Sequence, residues 1–209
     1  MTTVHYVASA CLLALIGISA KAAATPAFAA PAFSLAERET LLGGEIVSRP
    51  MHFDTDEGSY VGGLSYSIVR APASTVLVAL SNVETLPQAL PRTKSARLID
   101  VQGSEARVEL VQGKGALEAA YTVRIERVPG RSELRFWLDP TRPHDIEDVF
   151  GFFRVEPFGE GKSLVTVAAA LNLGTGVASL FFSDAIQRTV LSAPRQIRDY
   201  VEPHVFAQL

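Results

Sequence analysis

The chain has 209 residues, a formal net charge of −3 and 48% hydrophobic residues, which is at the high end for a soluble chain. It carries no basic cluster of the kind that neutralises phosphates, so nucleic-acid binding is not expected. Its single cysteine, Cys11, excludes an intrachain disulfide, and the fold has to rest on its core.

Residues Tyr6 to Ala20 carry no formal charge, and Lys21 ends the run. Spanning a bilayer takes about 20 apolar residues, and this run is shorter. It reads as a signal peptide, with an uncleaved anchor as the alternative. Two small-x-small sites follow, Ala20-Lys21-Ala22 and Ala27-Phe28-Ala29. Cleavage after Ala29 is preferred, because cleavage after Ala22 leaves an Ala/Pro/Phe tail on the mature chain. The absence of Lys or Arg before the apolar run departs from the usual leader. On this reading residues 1–29 are a signal peptide, 30–59 an N-terminal extension and 60–205 the main domain. The mature protein is secreted or periplasmic.

Ser34-Leu35-Ala36-Glu37 is a capping-box pattern, and predicts a short helix that stops at Gly43-Gly44. Residues 45–53 suit a strand, with Pro50 placing it at an edge. Residues 54–58 are a turn. Residues 60–69 form the next strand, with Leu64, Tyr66 and Ile68 on one face. Pro72 opens a helix over about 74–83, and a second helical turn runs over about 84–90.

From Ser95 the period becomes two. Strands are expected over 95–101, 104–112, 116–127, 134–138, 149–158 and 162–173. In the third of these, Leu117, Ala119, Tyr121, Val123 and Ile125 share a face, and Glu118, Thr122, Arg124 and Glu126 take the other. Such alternation marks half-buried antiparallel strands. Residues 177–205 then carry a broad apolar stripe at helical spacing, and Pro194 kinks or restarts that helix.

No motif carries recognisable chemistry. Gly174-x-Gly176 lacks the third glycine and a following strand, so it reads as a strand-to-helix joint and not a dinucleotide loop. Asp54-x-Asp56-x-Gly58 lacks the closing Glu of a calcium loop. His144-Asp145-Ile146-Glu147-Asp148 has potential metal ligands but no second His nearby, and reads as a polar rim loop. No metal or cofactor is called for. A catalytic reading requires His52, His144 or a carboxylate such as Asp139 to point inward with a shifted pKa. Phe150, Phe152, Phe153, Phe158, Phe181 and Phe182 fall close together, either as plain core or as the wall of an apolar cavity. If Phe153 and Val155 face inward, Arg154 points to solvent. If Phe150 and Phe152 do, Arg154 is buried and needs a carboxylate. The first arrangement is preferred.

The order of elements, with several words, resembles the START-like helix-grip superfamily of polyketide cyclases, coenzyme Q-binding and lipid-transfer proteins. The words are Tyr66-Ser67-Ile68-Val69-Arg70-Ala71-Pro72, Asn82-Val83-Glu84-Thr85-Leu86-Pro87, Leu90-Pro91, Leu98-Ile99-Asp100, Phe136-Trp137-Leu138-Asp139, Gly151-Phe152-Phe153-Arg154-Val155 and Leu191-Ser192-Ala193-Pro194. The resemblance implies an α+β helix-grip fold. In it a curved antiparallel sheet wraps a long C-terminal helix, and two short helices follow the first core strand. It implies a cavity between sheet and helix for a lipid, quinone, sterol or polyketide-like molecule. Leu86, Leu90, Tyr121, Val123, Phe136, Phe153 and Phe181 would line it and bind that molecule. The partner implied is an apolar small molecule, with a transient membrane contact for its exchange. The superfamily has no shared catalytic motif, so a cyclase- or hydrolase-like enzyme and a non-catalytic structural or partner-binding domain remain the alternatives. The oligomeric state is not legible.

Overall fold

The computed structural model describes residues 32–115, 118–174 and 177–206, and the side chains of these except 177–182 and 206. The leader, both cleavage sites, Leu117 and the Thr175-Gly176 pair lie outside the described residues. Eight strands form one sheet: β1 (Val47–Thr55), β2 (Gly58–Val69), β3 (Thr93–Gln102), β4 (Glu105–Gln112), β5 (Ala119–Arg127), β6 (Glu133–Leu138), β7 (Asp148–Pro157) and β8 (Ser163–Asn172). Their order is β1-β2-β8-β7-β6-β5-β4-β3, and every neighbouring pair is antiparallel. β3 to β8 are therefore a meander whose last strand returns to β2. The chain has to cross from β2 to the far edge before that meander starts. Helix α2 (Ala73–Ser81), a 3₁₀ turn (Val83–Thr85) and helix α3 (Leu86–Ala89) make the crossing over the concave face.

Helix α1 (Leu35–Leu42) precedes β1. Its capping box is present: Glu37 N donates to Ser34 Oγ at 3.2 Å, and Ser34 N donates to Glu37 Oε2 at 2.8 Å. Glu37 also takes both prongs of Arg49 on β1 at 2.8 Å. The Arg49 hydrogen bonds, with that from Ser34, hold the Glu37 carboxyl at about 2. Arg49 in turn lies 5.6 Å from the ring centres of Phe33 and Tyr66. One guanidinium thus ties helix, strand and aromatic cover together.

β2 is buried at almost every position, because both of its faces are covered. Leu64, Tyr66 and Ile68 do share a face, and it is the outer one. They pack there with Leu41, Val47, Phe33, Met51, Phe152 and Ala168. The larger core lies on the concave side, where Val69, Val108, Val123, Leu134, Val155 and Val165 meet α2, α3 and Ile197 and Val201 near the C-terminus. The segment before β2 therefore adds an edge strand and closes the back of the sheet. The turn between β1 and β2 is tighter than residues 54–58, with Asp56 and Glu57 alone between the paired Thr55 and Gly58.

Curvature needs backbone that side chains do not allow. Gly63 in β2 has φ +141°, and a Cβ there would sit 2.2 Å from the Arg49 carbonyl oxygen. The C-terminal stripe forms two helices, α4 (Val177–Leu191) and α5 (Ala193–Phe206), broken at Ser192. Pro194 stands at the second position of α5, where its missing N–H costs nothing. α4 lies over the β1–β2 corner, and its Gln187 Nε2 donates to the carbonyls of Met51 (2.9 Å) and Gly62 (3.0 Å). α5 is fastened by Glu202, which accepts from Arg70 N at 2.9 Å and Arg70 Nη2 at 2.8 Å.

Most charge sits on the outer face. Phe153 and Val155 face the core, so Arg154 faces outward, as preferred. It does not simply point to solvent, however. It pairs with buried Glu133 at 2.7 Å and lies 4.7 Å from the centre of the Phe152 ring. Asp139 is fully buried between Arg124 Nη2 (3.0 Å) and Thr141 Oγ1 (2.6 Å). Arg107 Nε stands 3.0 Å from its other oxygen, a Coulombic contact without hydrogen-bond alignment. Burial pushes the Asp139 carboxyl up, but the bonds from Thr141 and Arg124 outweigh it and hold it at about 2.

Two outcomes follow from this packing. Gly63→Val should lower stability by about 3 kcal/mol or prevent folding, read by chemical denaturation. Asp139→Asn should cost about 3 kcal/mol at neutral pH, because two guanidiniums lose their buried partner. The folded Asp139 pKa is below its ordinary 3.8, so its contribution is full above that value and is lost as pH falls through about 2. The difference between wild type and variant, followed by thermal unfolding from pH 7 to pH 2, should therefore shrink below about pH 4.

Candidate functional site

The helices do not fill the concave face. A cavity of about 240 Å³ remains between the sheet and the helices α3, α4 and α5. Its floor is the inward face of the meander, including Leu110, Tyr121, Val123, Phe136 and Phe153. Leu86 and Leu90 close it from the α3 side, and Ile186, Val190 and Ala193 from the C-terminal helices. Leu86, Leu90, Tyr121, Val123, Phe136 and Phe153 are thus brought together around one space. The side chain of Phe181 lies outside the described residues.

Strand alternation explains which aromatics reach this space. Phe136 and Phe153 have their ring centres 5.2 Å apart on adjoining strands. Phe136 lies across Gly151, where a Cβ would meet its Cζ at 2.6 Å and the Ala168 carbonyl at 2.1 Å. Phe150 and Phe152, an odd number of residues from Phe153, turn to the other face and meet Tyr60 and Arg154. Phe158 is exposed beyond the end of β7. The aromatic cluster of the sequence therefore divides between the two sides of the sheet.

The lining is apolar except for Arg92, Gln112, Lys114, Tyr121 and Thr189. The Tyr121 hydroxyl donates to Gln112 Oε1, and Gln112 Nε2 donates to Thr93 Oγ1 at 2.6 Å. Burial raises the Tyr121 pKa, so the phenol stays neutral. Its proton is engaged by Gln112, which leaves the phenol oxygen free to accept one bond from a molecule in the cavity. Arg92 has φ +54°, the only non-glycine residue with positive φ among those described. It sits just before the paired Thr93 and Gln112, and its carbonyl accepts from Gly113 N at 2.9 Å.

The residues named for catalysis do not meet this space. His52 is exposed on β1. His144 is exposed, with Nδ1 2.6 Å from the Ile146 carbonyl oxygen. Asp139 belongs to the arginine cluster on the outer face. Among the described residues, neither a histidine nor a carboxylate lines the cavity, and no group of three His, Cys, Asp or Glu stands close enough to hold a metal. From the 144–148 loop only Ile146 reaches the lining. Gln112 could have been found from the sequence: it continues the inward series Ala106, Val108, Leu110 as a polar residue at an apolar position. Arg92, Lys114, Ile146 and Thr189 come from loops and a helix that carry no such signal.

The comparisons with known proteins agree with this geometry. The family model described as polyketide cyclase / dehydrase and lipid transport matches residues 69–194. No curated protein matches the chain. Among solved structures, a STAR-related lipid transfer protein from Xanthomonas axonopodis superposes with TM-score 0.63 at 14% identity, over 75% of this chain and 93% of that one. An aromatase/cyclase from a Streptomyces species gives 0.58 at 13%, over 76% and 96%. A START superfamily protein from Mycobacterium smegmatis gives 0.56 at 16%, over 76% and 97%. At such identities these likenesses establish the helix-grip fold alone. The family match runs from the end of β2 to the start of α5, more than half of the chain, and the chain therefore belongs to the polyketide cyclase / dehydrase and lipid transport family of the START-like superfamily.

Proposed function

We propose that this protein binds and carries a hydrophobic small molecule of the lipid, quinone, sterol or polyketide-like kind in the cavity between sheet and helices. The observation that carries this is an apolar space of about 240 Å³ inside a fold whose elements are otherwise tightly fastened. Lining atoms with no partner across that space forgo packing contacts. A bound apolar molecule returns those contacts. Leu86, Leu90, Tyr121, Val123, Phe136 and Phe153 are the residues proposed to touch it, with Phe181 as a further candidate on α4.

The family's description covers both catalysts and carriers. The carrier reading is favoured by the lining, in which the charged side chains, Arg92 and Lys114, are cations and the other polar ones, Gln112, Tyr121 and Thr189, are neutral. Such groups bind and orient; a proton-transfer catalyst needs an acid or base poised near working pH. The uncharged run from Tyr6 to Ala20 supports export of the carrier, with cleavage after Ala29.

Protein purified from its own host and examined by native mass spectrometry should carry a small apolar molecule. Ala185→Trp, which places a large ring in the lining from an exposed position on α4, should lose that molecule while keeping the thermal unfolding of the empty protein. Protein that is consistently empty overturns the reading. Intact mass of the exported form should correspond to a chain starting at Ala30; a mass that includes the leader sinks the cleavage proposal.

A further inference from the structure

We infer that the molecule held in the cavity carries an anionic head, a carboxylate or a phosphate monoester, seated at the mouth against Arg92, Arg188 and Lys114. The inference rests on the carrier reading and deepens it. The apolar cavity borders a polar depression, and Pro91, Arg92, Ala185 and Thr189 line both. The depression adds Arg188, Ser192 and Gln196. An apolar chamber that opens into a polar seat is the shape of an amphipathic molecule.

The donors of that seat decide the sign of the head. Thr189 Oγ1 donates to the Ala185 carbonyl at 2.9 Å, and Ser192 Oγ to the Thr189 carbonyl at 2.7 Å. Gln196 Nε2 is engaged by the carbonyls of Gln88 (3.1 Å) and Leu90 (2.9 Å). The neutral groups are thus bound to backbone, and the guanidiniums of Arg92 and Arg188 remain as free donors. Among the described residues, Arg92, Arg188 and Lys114 have no ion-pair partner, although most other arginines of the chain are paired with carboxylates. Among the described residues no acidic side chain lines either the cavity or the depression. This happens in a chain whose net charge is negative, so the cationic mouth is a matter of placement and not of composition.

The loop geometry adds to this. Arg92 and Lys114 flank the same end of the β3–β4 ladder, where Thr93 pairs with Gln112, and the Arg92 carbonyl is tied to Gly113 N. The positive φ of Arg92 costs roughly 1 kcal/mol or more and persists because that tie and the ladder hold it. The strand end is thereby built to present a cation at the mouth. Arg188, from the last turn of α4, lines the depression together with Arg92. Planar guanidiniums match carboxylate and phosphate oxygens in pairs.

The test uses the neutral apolar fluorophore N-phenyl-1-naphthylamine as the reporter of the cavity, displaced by dodecanoate, dodecyl phosphate and dodecanol. At low salt one or both anions should displace it at least about tenfold more effectively than the alcohol, the equivalent of one charge-assisted hydrogen bond. That ratio should fall as salt is raised. In Arg92→Gln/Lys114→Gln/Arg188→Gln it should drop toward one. In Arg127→Gln/Arg131→Gln/Lys162→Gln, which removes the same charge from exposed positions away from the mouth, it should persist. Equal displacement by alcohol and anions, or a preference that survives loss of the three mouth cations, overturns the anionic head and leaves the carrier reading standing. A wild-type protein that takes up no fluorophore removes the carrier reading, and the anionic head falls with it.

Discussion

The concave face of this sheet carries more apolar surface than the helices laid across it can fill. Everything functional depends on that mismatch. The sheet bends because its backbone comes closer at Gly63 and Gly151 than any side chain permits. The helices then span the bend at separated points. Gln187 holds α4 to the β1–β2 corner, Gln196 holds α5 to the loop at Leu90, and Glu202 holds α5 to the end of β2. None of these fastenings lies over the middle of the meander, where Tyr121, Val123 and Phe136 look into open space. Close packing is the rule in protein interiors, so a void maintained by specific polar ties reads as a built feature.

Period-two alternation keeps the charge out of that void. In β4 and β5 the apolar residues take one face, and Arg107, Glu109, Arg124 and Glu126 fall on the other. On the outer face they meet across strands: Arg107 and Arg124 at Asp139, Arg135 and Arg154 at Glu133. Both carboxylates are held below their ordinary pKa by the arginines and hydrogen bonds around them, against the opposing effect of burial. The back of the sheet is therefore an ionic layer over β4–β7 and an apolar one near β2, where α1 and Phe33 lie. The N-terminal helix covers the second of these. Its single strong anchor is the two-pronged bond between Glu37 and Arg49.

The strands were legible because their pattern is local. Alternation from Ser95 to Asn172 needs no knowledge of the partner strand, and the capping box at Ser34 is complete within four residues. Facing was legible only where one side is polar. In β2, covered on both sides, Leu64, Tyr66 and Ile68 share a face, but nothing in the sequence says that it is the back. The aromatic density over 150–158 is misleading for the same reason: consecutive phenylalanines on a strand have to part, and only Phe153 reaches the cavity. The catalytic candidates illustrate the opposite limit. Asp139 is buried with a displaced pKa, yet its partners come from β4 and β5, and their side of the sheet is known only once the register is.

The mouth shows what a loop reading lacks. Gln112-Gly113-Lys114-Gly115 and Pro91-Arg92 are turn-like by composition, and neither carries a functional motif. Their meaning comes from the pairing of Thr93 with Gln112, which sets the two cations at one end of the ladder, and from the break at Ser192, which brings Arg188 and Thr189 over them. A continuous helix over 177–205 would run on past that point. Because Pro194 lacks the N–H that would prolong α4, the chain restarts there, and the last turn of α4 is left at the cavity's rim. The helix break and the polar seat are thus one feature. Near the end of α4 the Thr189 and Ser192 hydroxyls donate to the carbonyls of Ala185 and Thr189, so the donors left facing the mouth are the charged ones.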